Sequence, residues 1–412
     1  MTRQRIVVTG IGLTSPHGDR PAAVFDSLMQ GRSAIALWDR DDVPPVAVAR
    51  TPFTPERWFN KLQLAGVDRV SQMAVAAGEM ARSDAQWPDG IDPERVGVYV
   101  GSGMGGAGAL DDGYEAFRQN KRVPPLTVVA SMANAPAAHL ALRVGARGPV
   151  YTYSVACASA AVAIAEASEA IASGRVDVAI AGGAESVIVP GVVRAWQAMQ
   201  ALAVPDTEEP SSSCRPFDST RSGLVLGDGA AMLVLESEQH AQARGVRAYA
   251  ELSGYGVSCD ASHMTKPERD GQVRALQQAL ARSALVPAQV GYCNAHGTAT
   301  RVGDVVECDA LRHVWGPDVA RLRVSSTKSM HGHLLGAAGA LEAVITVLAL
   351  QRGQVPPTAS CHDLDPQCDV PVVRGQGIDA PSLDAAISNS FAFGGTNVVL
   401  AFKRAHGALS TV

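Results

Sequence analysis

The chain is short of charge and of aromatic residues. Of its 412 residues only 18% are Asp, Glu, Lys or Arg and 5% are Phe, Trp or Tyr. So little charge excludes a self-repelling disordered chain, and 47% apolar residues are enough to fill a sizeable core. A basic block is also missing: the net charge is −5 and is spread along the sequence, which speaks against nucleic acid as a partner. No apolar run reaches the ~18 residues that cross a bilayer. The nearest candidate, LLGAAGALEAVITVLAL (334–350), carries Glu342 in its middle. The opening MTRQRIVVTGIG runs into a strand-like stretch without a signal-peptide core. Nor is there a disulfide framework, because seven cysteines is an odd number and their spacings do not pair. The expectation is a cytoplasmic protein with no membrane and no nucleic-acid partner.

What is present is a regular alternation. RIVVTGIG (5–12), VGVYVGSG (96–103), VDVAIAGG (176–183) and AAMLVLE (230–236) read as buried strands, with alanine-rich helical stretches at 70–83 and 160–174. The second half alternates in the same way, with strands at 249–258, 289–297, 321–328, 385–395 and 397–403 and helices near 271–284 and 335–351. This predicts an α/β protein with a boundary near 240–248 and a two-fold duplication in the order of elements. The polar stretch 205–223 reads as a surface loop.

Four places carry candidate chemistry. Cys157, in SVACASA, sits among small residues at the first turn of a predicted helix. A helix N-terminus lowers a thiol pKa, so the site reads either as a nucleophile or as a buried structural cysteine. His296, in NAHGTATRVGDVVE, follows a strand and precedes Gly297. It reads as an acid/base group or as a satisfied loop histidine, and Asp304 and Glu307 suit the next helix's first turns. Lys328, His331 and His333 crowd the loop of SSTKSMHGHLLGAAGALE. His331 and His333 together with His296 suggest a metal site, but Lys328 is a poor neighbour for a cation and the set lacks the carboxylate or thiolate ligands typical of zinc sites. Glu342 lies in an apolar helix and needs a cation or several donors. In NSFAFGGTN, Phe391 and Phe393 line a pocket or form core, and Gly394 and Gly395 permit a tight turn. GSGMGG (101–106) fits a dinucleotide fingerprint in its glycines alone, because QNKRVPP stands where the acidic residue belongs.

Together and in this order, SVACASA, NAHGTAT with GDxxE, SSTKSMHGHLLGAAGALE and NSFAFGGTN resemble the elongating β-ketoacyl-[acyl-carrier-protein] synthases. The likeness runs from VVTGIGLTSPHG to NVVLAFK, nearly the whole chain. It implies a thiolase-like α/β fold, two similar halves in five layers α-β-α-β-α. The unit would span 1–406, with an N-terminal half 1–245 carrying the cysteine and a C-terminal half 246–406 carrying both histidines. The implied reaction is decarboxylative Claisen condensation of an acyl group on Cys157 with malonyl carrier protein, in fatty acid elongation. The alternative is a specialised type II polyketide or aryl polyene pathway with a chain-length-factor partner.

The same resemblance implies roles. His296 and His333 stabilise the enolate, and the backbone N–H groups of Cys157 and Phe393 form an oxyanion hole. Lys328 pairs with Glu307. Thr298 and Thr300 hold the pantetheine arm; Phe391 and Gly394 line the substrate path, and Phe393 gates it. Met104 limits pocket depth. Lys121 and Arg122 dock an acidic acyl carrier protein. Asn294, Glu342, Asn389 and Ser390 match a structural Na+ or K+ site. No catalytic metal or resident cofactor is implied, since 4'-phosphopantetheine arrives on the carrier. The assembly implied is a homodimer or a heterodimer with a chain-length-factor-like subunit. Gln200 stands where arginine is frequent, Ala392 where glycine is usual, and His331 where a smaller residue is common.

Overall fold

Ten strands form the central sheet of the computed structural model, which describes residues 4–87 and 90–405. Residues 1–3, 88–89 and 406 of the expected unit lie outside the described residues. The strands are β1 (Ile6–Thr14), β2 (Val96–Gly101), β3 (Val150–Tyr153), β4 (Val178–Glu185), β5 (Gly229–Ser237), β6 (Ala250–Cys259), β7 (Tyr292–Asn294), β8 (Arg323–Ser325), β9 (Ala385–Phe391) and β10 (Thr396–Arg404). Their order is β8-β7-β9-β10-β6-β1-β5-β4-β2-β3.

Each half repeats one pattern. β3, β2 and β4 are parallel, and β5 and β1 follow antiparallel. β8, β7 and β9 are parallel, and β10 and β6 follow antiparallel. The halves meet where β1 pairs with β6, from Ile6↔Leu252 to Val8↔Ala250.

Composition explains the layering. Helix α1 (Arg69–Asp84) covers β1, β5 and β4, while α3 (Arg269–Arg282) packs on β6 and β10 and α4 (Gly303–Trp315) packs beside α3. Between the halves lie α2 (Ser159–Ala172) and α5 (Ala338–Arg352), which touch each other and strands of both halves. A helix enclosed on all sides must be apolar around its whole circumference. Thirteen residues of α5, Ala338 to Leu350, are buried, and its sequence is apolar on nearly every face. That explains a membrane-like composition in a core helix. Small residues let these helices approach closely: a Cβ on Gly101 of β2 would lie 2.2 Å from the Ala160 backbone nitrogen.

Both central helices begin alike. A three-residue turn, 156–158 or 335–337, leads into each, and its first residue has positive φ: Ala156 at 47° and Leu335 at 45°. Such angles are strained for residues with a Cβ, and their recurrence marks the duplication at residue level.

One expectation needs correcting. Residues 205–223 are not simply a surface loop: Cys214, Phe217, Asp218 and Arg221 are buried, and Arg221 is held by Asp365 at 2.6 Å. Strand β3 and the strand Ala36–Arg40 are short and partly exposed, so their alternation is weak in the sequence.

Candidate active site

Cys157 is delivered by β3 through the strained Ala156 turn. The Ser159 hydroxyl fixes that turn, accepting from Val155 N at 2.9 Å and donating to Ala156 O at 2.7 Å. The thiol is buried and faces the backbone N–H groups of Phe393 and of Cys157 itself.

His296 leaves the end of β7 in a turn clamped by Glu307 of α4. The His296 and Gly297 amides donate to the two Glu307 oxygens at 2.8 and 2.7 Å, and Asn389 Nδ2 adds a third bond at 2.9 Å. His333 is fixed through its backbone, donating to Val225 O at 2.6 Å and accepting from Gly227 N at 2.9 Å. Its two ring nitrogens are buried without partners.

These three side chains converge. Cys157 Sγ and one nitrogen from each of His296 and His333 lie within 4.8 Å of one another. The rings meet edge to face, 5.4 Å between centroids at 83°. Burial, and then the charge of Lys328, hold both imidazoles well below their usual pKa. Both are therefore neutral at pH 7, each with one N–H donor and one acceptor nitrogen.

The thiol departs from expectation. Burial pushes Cys157 from 9.0 up to about 12, although Lys328 and the Phe393 amide pull it down. A helix end is worth at most about 2 kcal/mol, or about one and a half pKa units. Burial wins, so the resting group is a thiol, not a preformed thiolate. Its proton must leave as the sulfur attacks, and the imidazoles are close enough to take it. Iodoacetamide should then alkylate Cys157 about tenfold faster per pH unit between pH 7 and 10. Mass spectrometry of the alkylated peptide checks this, and a plateau starting below pH 8 would contradict it.

Lys328 also differs. Its ammonium pairs with Glu342, not with Glu307, and both side chains are fully buried. Glu307 instead spends its oxygens on the His296 turn. Lys328 reaches the histidines only through its field. His331 binds Gly332 O at 2.7 Å and Thr327 Oγ1 at 2.9 Å, so it is a satisfied core histidine outside the cluster.

A cavity of about 540 Å³ opens from this cluster, with Thr298, Thr300, Phe391 and Phe393 in its walls. The Thr298 and Thr300 hydroxyls lie 3.2 Å apart. Gly394 does not line it; the residue is exposed, and its N–H is bound to Met264 O at 2.7 Å. Met104 is not in its wall either and is 46% exposed. Lys121 and Arg122 are exposed, away from the cavity. Asn294 Oδ1, Asn389 Oδ1, Glu342 Oε2 and Ser390 Oγ are all buried without hydrogen-bond partners. Oxygen atoms are the ligand type that suits a hard monovalent cation.

Trp196 joins the site without a signal in the motifs. Its ring stacks on Phe393, 6.1 Å between centroids at 23°, and it lines the cavity beside Cys157. The run PGVVRAWQA gives no sign of this beyond one aromatic in a mixed helix. Glu185 is a second residue that sequence reasoning does not find. Buried at the end of β4, it accepts from Gly103 N at 2.6 Å and from Gly336 N at 3.0 Å, and so joins the two halves beside the cluster.

The family model described as "Beta-ketoacyl synthase, N-terminal domain" matches residues 3–241, and "Beta-ketoacyl synthase, C-terminal domain" matches 249–362. The chain is 37% identical over 413 residues to 3-oxoacyl-[acyl-carrier-protein] synthase 2 of Synechocystis sp., covering 98% of this chain and 99% of that protein. It is 40% identical over 407 residues to Nodulation protein E of Rhizobium sp., covering 97% and 99%. Among solved structures, the ishigamide ketosynthase/chain length factor superposes with a TM-score of 0.91 at 32% identity, covering 98% and 100%. A beta-ketoacyl synthase from Burkholderia phymatum gives 0.89 at 35% identity, covering 98% and 100%.

Proposed function

The chain belongs to the beta-ketoacyl synthase family and is a 3-oxoacyl-[acyl-carrier-protein] synthase II-like acyltransferase, and from that premise we propose how its own residues carry out the condensation. The observation that carries the reading is the convergence of Cys157, His296 and His333 within 4.8 Å. In the first half-reaction Cys157 sulfur attacks the acyl thioester of a carrier protein, an imidazole takes the thiol proton, and the carrier thiol leaves with it. In the second, the malonyl group loses CO2. The two electrons of the broken C–C bond form an enolate, whose oxygen receives hydrogen bonds from His296 and His333. The enolate carbon attacks the acyl–Cys157 carbonyl. Charge on that oxygen falls to the Cys157 and Phe393 amides, the C–S bond breaks, the released Cys157 thiolate takes a proton from water to regenerate the thiol, and 3-oxoacyl carrier protein is released. Glu307 positions His296; burial, with the charge of Lys328 added to it, keeps both histidines neutral. Thr298 and Thr300 receive the pantetheine arm, Phe391 and Phe393 bound the acyl path, and Phe393 on Trp196 gates it.

The repeated strand order and the enclosed helices α2 and α5 support a thiolase-like, five-layer reading with halves 1–245 and 246–406 of one unit. Asn294, Glu342, Asn389 and Ser390 would hold Na+ or K+ as a structural ion. Lys121 and Arg122 remain docking positions for an acidic carrier. Tyr114, Phe117 and Val128 are 64–72% exposed, an apolar face suited to a second copy or a chain-length-factor-like subunit.

Fatty acid elongation is the pathway we favour. A specialised pathway with a silent partner is the second reading, favoured by the likeness to structures named as ketosynthase/chain length factor pairs. Incubating the protein with acyl carriers of several lengths and malonyl carrier should give CO2 and 3-oxoacyl carrier. Turnover by the protein alone supports elongation, and turnover only with a co-expressed partner supports the second reading. Condensation under neither condition would overturn both.

A further inference from the structure

The motif that carries His333 also carries a second imidazole, His331, to which the resemblance assigns no role. Its side chain is buried and spans the short helical turn Lys328–His331. Nε2 lies 2.9 Å from Thr327 Oγ1, just before the turn, and Nδ1 lies 2.7 Å from Gly332 O, just after it. A carbonyl oxygen can only accept, so Nδ1 carries the proton. Nε2 is then the acceptor, and the Thr327 hydroxyl donates to it. That assignment makes the ring neutral. Burial, and then the charges of Lys328 and His17, hold it well below the usual histidine pKa, in agreement. One side chain thus holds both ends of the turn, which a hydroxyl side chain with a single polar atom cannot do.

The peptide that His331 grips is the one that leads into His333. Its carbonyl, Gly332 O, accepts from His331 Nδ1, and its N–H donates to Val225 O at 2.6 Å. Gly332 has φ 65° and ψ −173°, a conformation that a Cβ disfavours, and a Cβ there would lie 3.1 Å from both Ala49 Cβ and Val225 O. The plane of this peptide is therefore held from both sides in a tight place. The His333 ring has no such hold: both its nitrogens are buried without partners. A ring that no hydrogen bond grips is aimed by its backbone and its packing. Glu307 clamps the turn that carries His296. His331 stands in the same relation to His333.

We propose that His331 is a positioning residue for His333, its Nδ1–H fixing the peptide that aims the His333 ring at the enolate oxygen. The inference rests on the condensation reading of the site and adds to it a residue that touches neither substrate nor sulfur. A reacting group displaced by about 1 Å loses on the order of a hundredfold in rate, so one hydrogen bond behind it has leverage. The effect is confined to the steps that use His333. Loading of Cys157 with an acyl group is expected to survive loss of the His333 ring, so it should survive loss of the His331 bond as well.

Two variants separate the bond from mere packing. His331→Leu keeps bulk and removes the donor, and His331→Asn keeps an N–H near the place of Nδ1–H. In His331→Leu, kcat for condensation and for malonyl decarboxylation should fall about 10- to 100-fold. Acyl loading of Cys157, followed by mass spectrometry, should stay within about twofold of wild type. His331→Asn should bring kcat back to within about threefold of wild type. Condensation at the wild-type rate in His331→Leu overturns the proposal. So does His331→Asn as slow as His331→Leu, or a loss that falls equally on loading and condensation. The tautomer gives a check that needs no variant: in NMR of wild-type protein with ¹⁵N-labelled histidine, the His331 proton should sit on Nδ1, and a proton on Nε2 overturns the proposal. Wild-type protein that neither loads nor condenses would instead overturn the condensation reading, and this role with it.

Discussion

Cys157→Ala is expected to abolish condensation, lowering turnover by more than about a thousandfold. The reason is geometric. Among the described residues, Cys157 is the one cysteine in a group with both His296 and His333. Cys293, Cys308 and Cys368 are buried in a separate apolar cluster. The variant should still fold, because the lost sulfur leaves a small gap in a site lined by alanines. Cys157→Gln separates the two half-reactions. Its carboxamide oxygen would stand where an acyl–sulfur carbonyl stands, facing the Phe393 amide, while the histidines are untouched. Malonyl decarboxylation should continue in Cys157→Gln although condensation is lost. Labelled CO2 release against 3-oxoacyl product measures the split, and condensation surviving in either variant would remove Cys157 from the reaction.

The second large effect is on stability. Lys328→Ala should destabilise the fold by about 3–5 kcal/mol, because it strands Glu342 in a helix buried on all sides. Glu342 has one oxygen against Lys328 and the other without a partner, and burial already lifts its carboxyl to about 7. Without the ammonium that value rises further. A carboxyl whose folded pKa lies above its unfolded value favours folding at low pH, and that benefit is lost as pH rises from about 4.5 through the folded pKa. The deficit of Lys328→Ala should therefore be larger at pH 8 than at pH 5 in urea unfolding in buffer free of Na+ and K+. Lys328→Met with Glu342→Gln, which removes both charges, should recover much of the loss. An equal deficit at both pH values would mean that Glu342 is not the stranded group.

The histidine motifs are legible because each lies on one short stretch. The end of β7 places His296, and the loop before α5 places His333. What is not legible depends on distance along the chain. Lys328 and Glu342 are separated by the Leu335 turn, so nothing local distinguishes Glu342 from Glu307 as the partner. The resting state of the thiol is hidden for a related reason. A helix end is visible in sequence, whereas the burial that outweighs it is made by residues from β9, β10 and the Leu335 turn. The duplicated strand order is legible in the alternation of elements. The short β3 is not, because Tyr151 is half exposed and the strand pairs on one side alone. Trp196 lacks any signal that would tie it to Phe393, which lies in the other half of the chain.

The central claim is that the sulfur of Cys157 carries the growing chain between two neutral imidazoles. Peptide mapping by mass spectrometry after incubation with an acyl carrier thioester, without malonyl carrier, tests it directly. The acyl mass should sit on the peptide containing Cys157, in wild-type protein and in His333→Ala alike. Addition of malonyl carrier should clear it from wild type and leave it in the variant. An acyl group on any other residue, or clearance at the wild-type rate in His333→Ala, would contradict the account.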